Sequence, residues 1–190
     1  MSSRFCSLAP EQLDQQQRDL YEAIAGGPRS QGTQAFPLAD DQGRLHGPFG
    51  LMLLNPAIGK LLQDLGSGLR FRGSLTARER EIAILTVGAF TRSEFEVWAH
   101  RRVAITVGLL PDEVDAVMIG RFRSQDAREQ LCHDFTRSAL AGDDVSDTEF
   151  ATARELLGES SLLELTVVAG YYFTLAAMLR VFQVGSPSES

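Results

Sequence analysis

Thr76 and Glu79 stand three positions apart at the head of TAREREIAILTVGAF (76–90), where they form a capping box ahead of Ile82, Ile84, Leu85 and Val87. The hydroxyl and the carboxylate each satisfy a backbone N–H that a first helical turn leaves open, so this pattern is a helix start. The same punctuation recurs along the chain. Pro10-Glu11 opens a segment carrying Leu13, Leu20, Tyr21 and Ile24, which Gly26-Gly27-Pro28 closes. Asn55-Pro56 reads as cap and first helical position for the stripe Ile58, Leu61, Leu62 and Leu65, with Gly66 or Gly68 as its stop. A break at Thr91-Arg92 leads into a helix running to Val107, and Pro111-Asp112-Glu113 starts a short one. Further helices are predicted over 124–140, from Asp147 to a stop at Gly158, and over 160–183, the most apolar stretch. No period-two alternation is found, so the expected fold is all-α.

Between the first two helical segments lies SQGTQAFPLADDQGRLHGPFG, part of an irregular stretch at 29–50. Irregular stretches of this length in compact domains serve a function or are disordered. The isolated apolar residues Phe36, Leu38, Leu45 and Phe49 favour a loop packed on the body, and Gly47-Pro48-Phe49 suggests a lid carrying His46.

A chain of 190 residues buries enough surface to be one domain without staples, so 1–190 is expected to be a single all-α unit. Its core is placed at about 50–120 and a second helical half at about 124–184. A net charge of −7 with no basic stripe argues against nucleic acid and anionic membranes as partners. The N-terminal residues lack a signal-peptide core, and charged residues or glycines interrupt every candidate for a span of about 20 apolar residues. A soluble cytoplasmic protein is expected. Cys6 and Cys132 lie far apart with no CxxC or zinc spacing, as free thiols of such a protein do. His133 sits among charged residues and is expected at the surface.

Leu85-Thr86-Val87-Gly88-Ala89 recurs as Leu165-Thr166-Val167-Val168-Ala169, 80 residues on. At that offset Glu81 meets Ser161, Glu96 meets Ala176 and His100 meets Arg180. Read as a degenerate repeat, this gives one half that carries polar residues and one that packs.

Within TRSEFEVWAH (91–100), Ser93, Glu96 and His100 share one helix face beside Phe95 and Trp98. A solvated face is the plain reading, but a surface Glu–His pair is worth only about 0.2–0.5 kcal/mol. Burial of an unpartnered carboxylate costs several times that, so a dry core is disfavoured and a site is the alternative. Phe90, Phe95 and Trp98 suit core or subunit contacts. No spacing of His, Asp, Glu or Cys demands a metal.

The run LTAREREIAILTVGAFTRSEFEVWAHRRVAITVGL (75–109) resembles the core of the carboxymuconolactone decarboxylase family, which includes the alkyl hydroperoxidase D-like proteins. The matching features are the Arg-Glu opening, Glu-x-Glu-x-x-Ala-His, and Ala-x-x-x-Gly-Leu before a Pro-Asp-Glu start. The flank GPFGLMLLNPAIGKLLQDLG (47–66) also resembles longer members. The resemblance implies an alkyl hydroperoxidase D-like helical bundle. In the hydroperoxidase branch it implies a functional Glu, a Cys-x-x-Cys pair and a His, which fall here on Glu81, Ser93, Glu96 and His100. Without the sulfurs, thiol–disulfide exchange has neither nucleophile nor resolving partner.

The decarboxylase branch works without metal or organic cofactor, so none is implied here. His100, Glu96 and Glu81 are then the candidate catalytic groups: an imidazole is the usual acid or base near neutrality, and Glu96 is one turn away to set its tautomer. Ser93, Phe49, His46 and Arg92 are candidate substrate contacts, with Arg78, Arg92, Arg101 or Arg180 available for a carboxylate. A small carboxylated or lactone-like metabolite is the implied substrate; a non-catalytic binding or assembly protein is the other reading. Members assemble as trimers or hexamers, so a homo-oligomer is expected (a dimer being the smallest form), with Tyr171, Tyr172, Phe173 and Phe182 as a place for contacts.

Overall fold

The starts read at Asn55-Pro56, Thr76 and Pro111 are helix starts in the protein, whereas Pro10 opens only a 3-10 turn and the first α-helix begins at Gln15, capped by Asp14. A computed structural model describes residues 4–27, 31, 34–142 and 144–187. After a short 3-10 turn at Pro10–Gln12 come α1 (Gln15–Ala25), α2 (Gly47–Met52), α3 (Pro56–Phe71) and α4 (Ala77–Thr91). Then follow α5 (Glu94–Thr106), α6 (Pro111–Met118), α7 (Ala127–Ala141) and α8 (Asp147–Phe182). Among the described residues there is no strand, only an isolated bridge between Ala39 and Leu45. The fold is all-α, as expected. Pro28, residues 29, 30, 32 and 33 of the loop, and 188–190 of the tail lie outside the described residues.

α4 is the central helix because every residue from Glu81 to Gly88 is buried, on all sides of the helix. Ile82, Ala83, Ile84, Leu85 and Val87 are each at most 1% exposed, with α5, α6, α7 and α8 packed about them. Its start keeps the capping box: Glu79 N–H donates to Thr76 Oγ1 at 3.2 Å, and Thr76 N–H donates to Glu79 Oε2 at 2.8 Å. Glu79 is itself buried and also receives Arg128 Nε at 2.6 Å, which ties α4 to α7. The two copies of the five-residue sequence lie on α4 and α8, which pack together; Leu85, Leu165 and Val168 are all fully buried.

α8 is broken where Gly158 adopts φ 77° and ψ 159°, the stop read from the sequence, but the chain re-enters helix at once. Ser146 rather than Asp147 caps it, accepting from Glu149 N–H. By length and composition α8 is apolar enough to cross a membrane, contrary to expectation, because its charged residues are sparse within an 18-residue window of mean hydropathy 1.6. Half of that window is buried inside the protein, as in the core helix of a bundle.

Three local expectations are corrected. α3 runs through Gly66 and Gly68 to Phe71, since its buried side, including Leu69, repeats for another turn. Residues 47–52 are a helix that begins inside the stretch 29–50 expected to be irregular, and all six are buried. His133 is fully buried rather than at the surface: it shares an inward face of α7 with Glu129, Cys132 and Thr136, and its ring lies 5.5 Å from that of Phe122. Cys132 is also fully buried, whereas Cys6 is exposed, and both are free thiols.

The turn from α4 to α5 sets the site. Arg92 ends α4 in the left-handed region at φ 54°, and Ser93 caps α5, so the two helices fold back on one another. Gly88 permits the close approach, because a Cβ there would stand 3.2 Å from Val97 Cγ2 and 3.8 Å from Glu96 Cβ. Glu81 of α4 is thereby carried opposite His100 of α5.

Candidate functional site

Three ionisable side chains meet where α4, α5 and α8 converge. Glu81, Glu96 and His100 are 1%, 3% and 7% exposed. His100 Nδ1 is 2.6 Å from Glu81 Oε2, and its Nε2 is 3.5 Å from Glu96 Oε2. A carboxylate oxygen at 2.6 Å assigns the proton of Nδ1 as the donor of that bond and leaves Nε2 as the exchanging nitrogen. Glu81 therefore sets the ring, a role expected of Glu96. Glu96 stands on the Nε2 side, at a distance that tightens only with movement or a bridging group. The Tyr172 ring meets the imidazole edge-on, with centroids 5.0 Å apart and an interplanar angle of 89°.

His100 and Glu96 line a cavity of about 130 Å³, with Tyr171 and Tyr172 of α8, Phe49 of α2, and the end of α3 around its rim. Residues 34–36 and Leu38 also line it, so the loop does reach the site. At about 30 Å³ per water, the space holds about four waters, which suits a small molecule. Glu81 does not line the cavity; it meets His100 from the Nδ1 side of the ring.

The other sequence candidates are distributed differently. Phe49 lines the cavity; Ser93, His46 and Arg92 do not. Ser93 is buried as the cap of α5 without a capping bond from its hydroxyl, and Arg92 is exposed at the turn. His46 precedes α2 and faces a separate hollow with Ser7 and Gly47. Burial pushes its imidazole below the ordinary value, against the pull of Asp40. Of the arginines, Arg78 is held by Glu129 and Glu113, Arg101 pairs with Asp115, and Arg180 is exposed. None of them lines the cavity. Arg70, in the last turn of α3, does. A helix stop at Gly66 or Gly68 leaves it outside the helix, which is why its place at the site is not legible in the sequence. Tyr171 and Tyr172 are buried site residues rather than surface contacts, and Phe95 is both core and cavity wall.

Neither cysteine lines the cavity, and burial pushes the Cys132 thiol up to about 12, where a thiolate is scarce. Among the described residues no group of three or more His, Cys, Asp or Glu is arranged to hold a metal ion.

Residues 56–129 match the carboxymuconolactone decarboxylase family. The match runs from α3 into α7, with α4, α5 and their three ionisable groups inside it. No curated protein matches the sequence significantly. Solved structures share the fold. One is the alkylhydroperoxidase AhpD core of an uncharacterized peroxidase-related protein from Ralstonia eutropha JMP134, at TM-score 0.77 and 16% identity over 98% of this chain and 93% of that one. A second is an uncharacterized peroxidase-related protein from Silicibacter sp. TM1040, at TM-score 0.69 and 14% identity over 83% and 94%. A third is the debrominase Bmp8, as a single-site variant in complex with 2,3,4-tribromopyrrole, at TM-score 0.69 and 10% identity over 98% and 95%. The fold thus hosts more than one chemistry, and this chain's chemistry has to be argued from its own residues.

Proposed function

We propose that this protein is a cofactor-free enzyme that moves a proton on a small carboxylated or lactone-like metabolite, with His100 as acid and base. The observation that carries this reading is the buried Glu81–His100 bond, which leaves Nε2 on the cavity side next to Glu96. A neutral His100 accepts a proton at Nε2 from a carbon made acidic by a neighbouring carbonyl. The resulting imidazolium, held between two carboxylates, returns it to another carbon. In a decarboxylation the same imidazolium protonates the carbon that retains the electron pair when CO₂ leaves. Glu81 orients the ring and stabilises its charged form, and Glu96 stands where the proton is exchanged.

A screen of unsaturated lactone acids and keto acids tests it, with CO₂ release and deuterium uptake from D₂O as readouts. Turnover by the native protein that His100→Ala abolishes is the expected result; turnover that survives the substitution defeats the reading.

Assembly into a homo-oligomer is part of the same proposal. Ile58 and Leu61 on α3 are exposed, as are Leu163, Phe173 and Val181 on α8. These apolar residues recur at helical spacing, which supports faces made to meet other copies. Light scattering that finds only a 20.8 kDa species counts against it.

A further inference from the structure

The cavity has two unlike ends. α5 runs antiparallel to the second half of α8: Phe95 packs with Leu179, and His100 rests on Tyr172. Further along the same direction, Ser74, just beyond α3, is bound by Glu164. Arg70, one turn before Ser74, therefore lies at the end away from Phe95, on the side where Thr106 also lines the cavity. The other end is aromatic, with Phe36 and Phe95 at 6.4 Å and near a right angle. From Phe95 to Thr106 the α5 wall is roughly 16 Å long at about 1.5 Å per residue. His100 and Glu96 lie between these ends.

Arg70 is only partly exposed, and its guanidinium lies 5.7 Å from the ring centre of its neighbour Phe71. Among the described residues it has no carboxylate partner. A basic residue in the last turn of a helix favours the helix dipole, and that would be its plain role. Two facts point further. It lines the cavity, and the acid that shares this cavity is Glu96, whose charge would repel an anionic substrate unless a cation offset it.

Resting on the proton-transfer reading above, we propose that Arg70 anchors a carboxylate that the substrate keeps throughout the reaction, while an apolar portion lies against Phe36 and Phe95. A guanidinium on a departing carboxylate would stabilise the ground state more than the transition state, since the charge leaves that group as CO₂ forms. A cation here suits a spectator group and fixes which carbon stands at His100 Nε2. The substrate class is an acid with its carboxylate at one end, an apolar or cyclic body, and an activated carbon between them. Arg70 is a binding and specificity residue, and His100 does the chemistry.

Isothermal titration of the full chain with 4-phenylbutyrate and with its neutral amide, 4-phenylbutyramide, tests the anchor. The native protein is expected to bind the acid more tightly than the amide. Arg70→Gln should weaken the acid by about tenfold and leave the amide unchanged, and Arg70→Lys should recover part of the loss. His100→Gln should keep the preference for the acid, so loss of catalysis and loss of the anchor are separable. Equal binding of acid and amide by the native protein overturns the proposal, as does no binding of either or unchanged acid affinity in Arg70→Gln. Because the acid–amide comparison uses the native chain, it stands even if the glutamine variant fails to fold.

Discussion

Glu81 on α4 and His100 on α5 are 19 residues apart in sequence and 2.6 Å apart in space, and both are shielded from water. A buried carboxylate on Nδ1 fixes which nitrogen of the ring can serve a substrate. His100→Gln should lower the rate of any turnover by about 10²–10⁴, the range a general acid or base contributes. Glu81→Gln keeps an acceptor for Nδ1 but removes the charge, so a smaller loss, about tenfold or more, is expected. Initial rates with folding checked by circular dichroism decide this; an unaffected Glu81→Gln rate would mean the bond is structural.

Ser93 and Glu96 stand at the start of α5, at the two positions where the family resemblance implies a Cys-x-x-Cys pair. The native protein should therefore show no thiol-dependent peroxide reduction, and alkylating the exposed Cys6 should change no activity. The double variant Ser93→Cys, Glu96→Cys restores the spacing at a helix N-terminus, which favours a thiolate. It should form a disulfide, detected by loss of titratable thiol, and begin to consume peroxide. Equal peroxidase activity in the native chain would sink this account.

Caps make the fold readable, because each is satisfied within a few residues: Thr76 with Glu79, Asn55 with Ile58. The pair Glu81 and His100 is readable only through a resemblance, since no local rule joins two helices. α2 shows no sequence signal because six residues, all buried, have no period. Arg70 and Tyr172 reach one cavity from chain segments about 100 residues apart, and no local pattern links them. His133 is a different case. Glu129, Cys132, His133 and Thr136 are spaced as a buried stripe that is legible in the sequence, but charged neighbours mask it.

Arg78 stitches three helices. Its Nε donates to Glu129 Oε1 at 2.6 Å and its Nη2 to Glu113 Oε1 at 3.0 Å, and it also reaches the Gly108 carbonyl. Arg78→Ala leaves the buried Glu129 with only Ser124 Oγ as a side-chain donor. Breaking a fully buried pair costs about 3–5 kcal/mol, and the partial exposure of Arg78 lowers this to about 2–3 kcal/mol in urea denaturation. Burial alone would raise the Glu113 carboxyl, but the Leu110 N–H and Arg78 outweigh it and hold it below the ordinary value. With the folded value depressed, this stabilisation is present above the unfolded value near 4.5 and is lost as pH falls through the folded one. Arg78→Ala should flatten that acid-side slope.

Cys132 acts in the opposite pH range. Burial raises its thiol from 9.0 to about 12, with Glu79 adding to the effect. The unfolded chain then releases this proton at lower pH than the folded one. Stability should fall as pH rises above about 9, with a limiting slope of about 1.4 kcal/mol per pH unit from this group. Cys132→Ala should remove that share of the slope. A thiol titration of the native protein near neutrality should count Cys6 alone, and both cysteines after denaturation; rapid native reaction of Cys132 would contradict its burial.

Gly47 joins the loop to α2 at φ 58°, and a Cβ there would run into the Phe95 ring. Alanine at this position meets two costs. The left-handed backbone disfavours a side chain by about 1–2 kcal/mol, and overpacking against a fixed aromatic ring adds about 1–3 kcal/mol. Phe95 also forms part of the cavity wall, so relief by moving its ring changes the aromatic end of the site. Gly47→Ala should thus lower stability by about 2–5 kcal/mol and weaken binding of aromatic ligands. Urea midpoints and ligand titration measure the two effects separately. An alanine variant as stable as the native protein would show that α2 shifts without strain, and that Phe95 is not pinned by it.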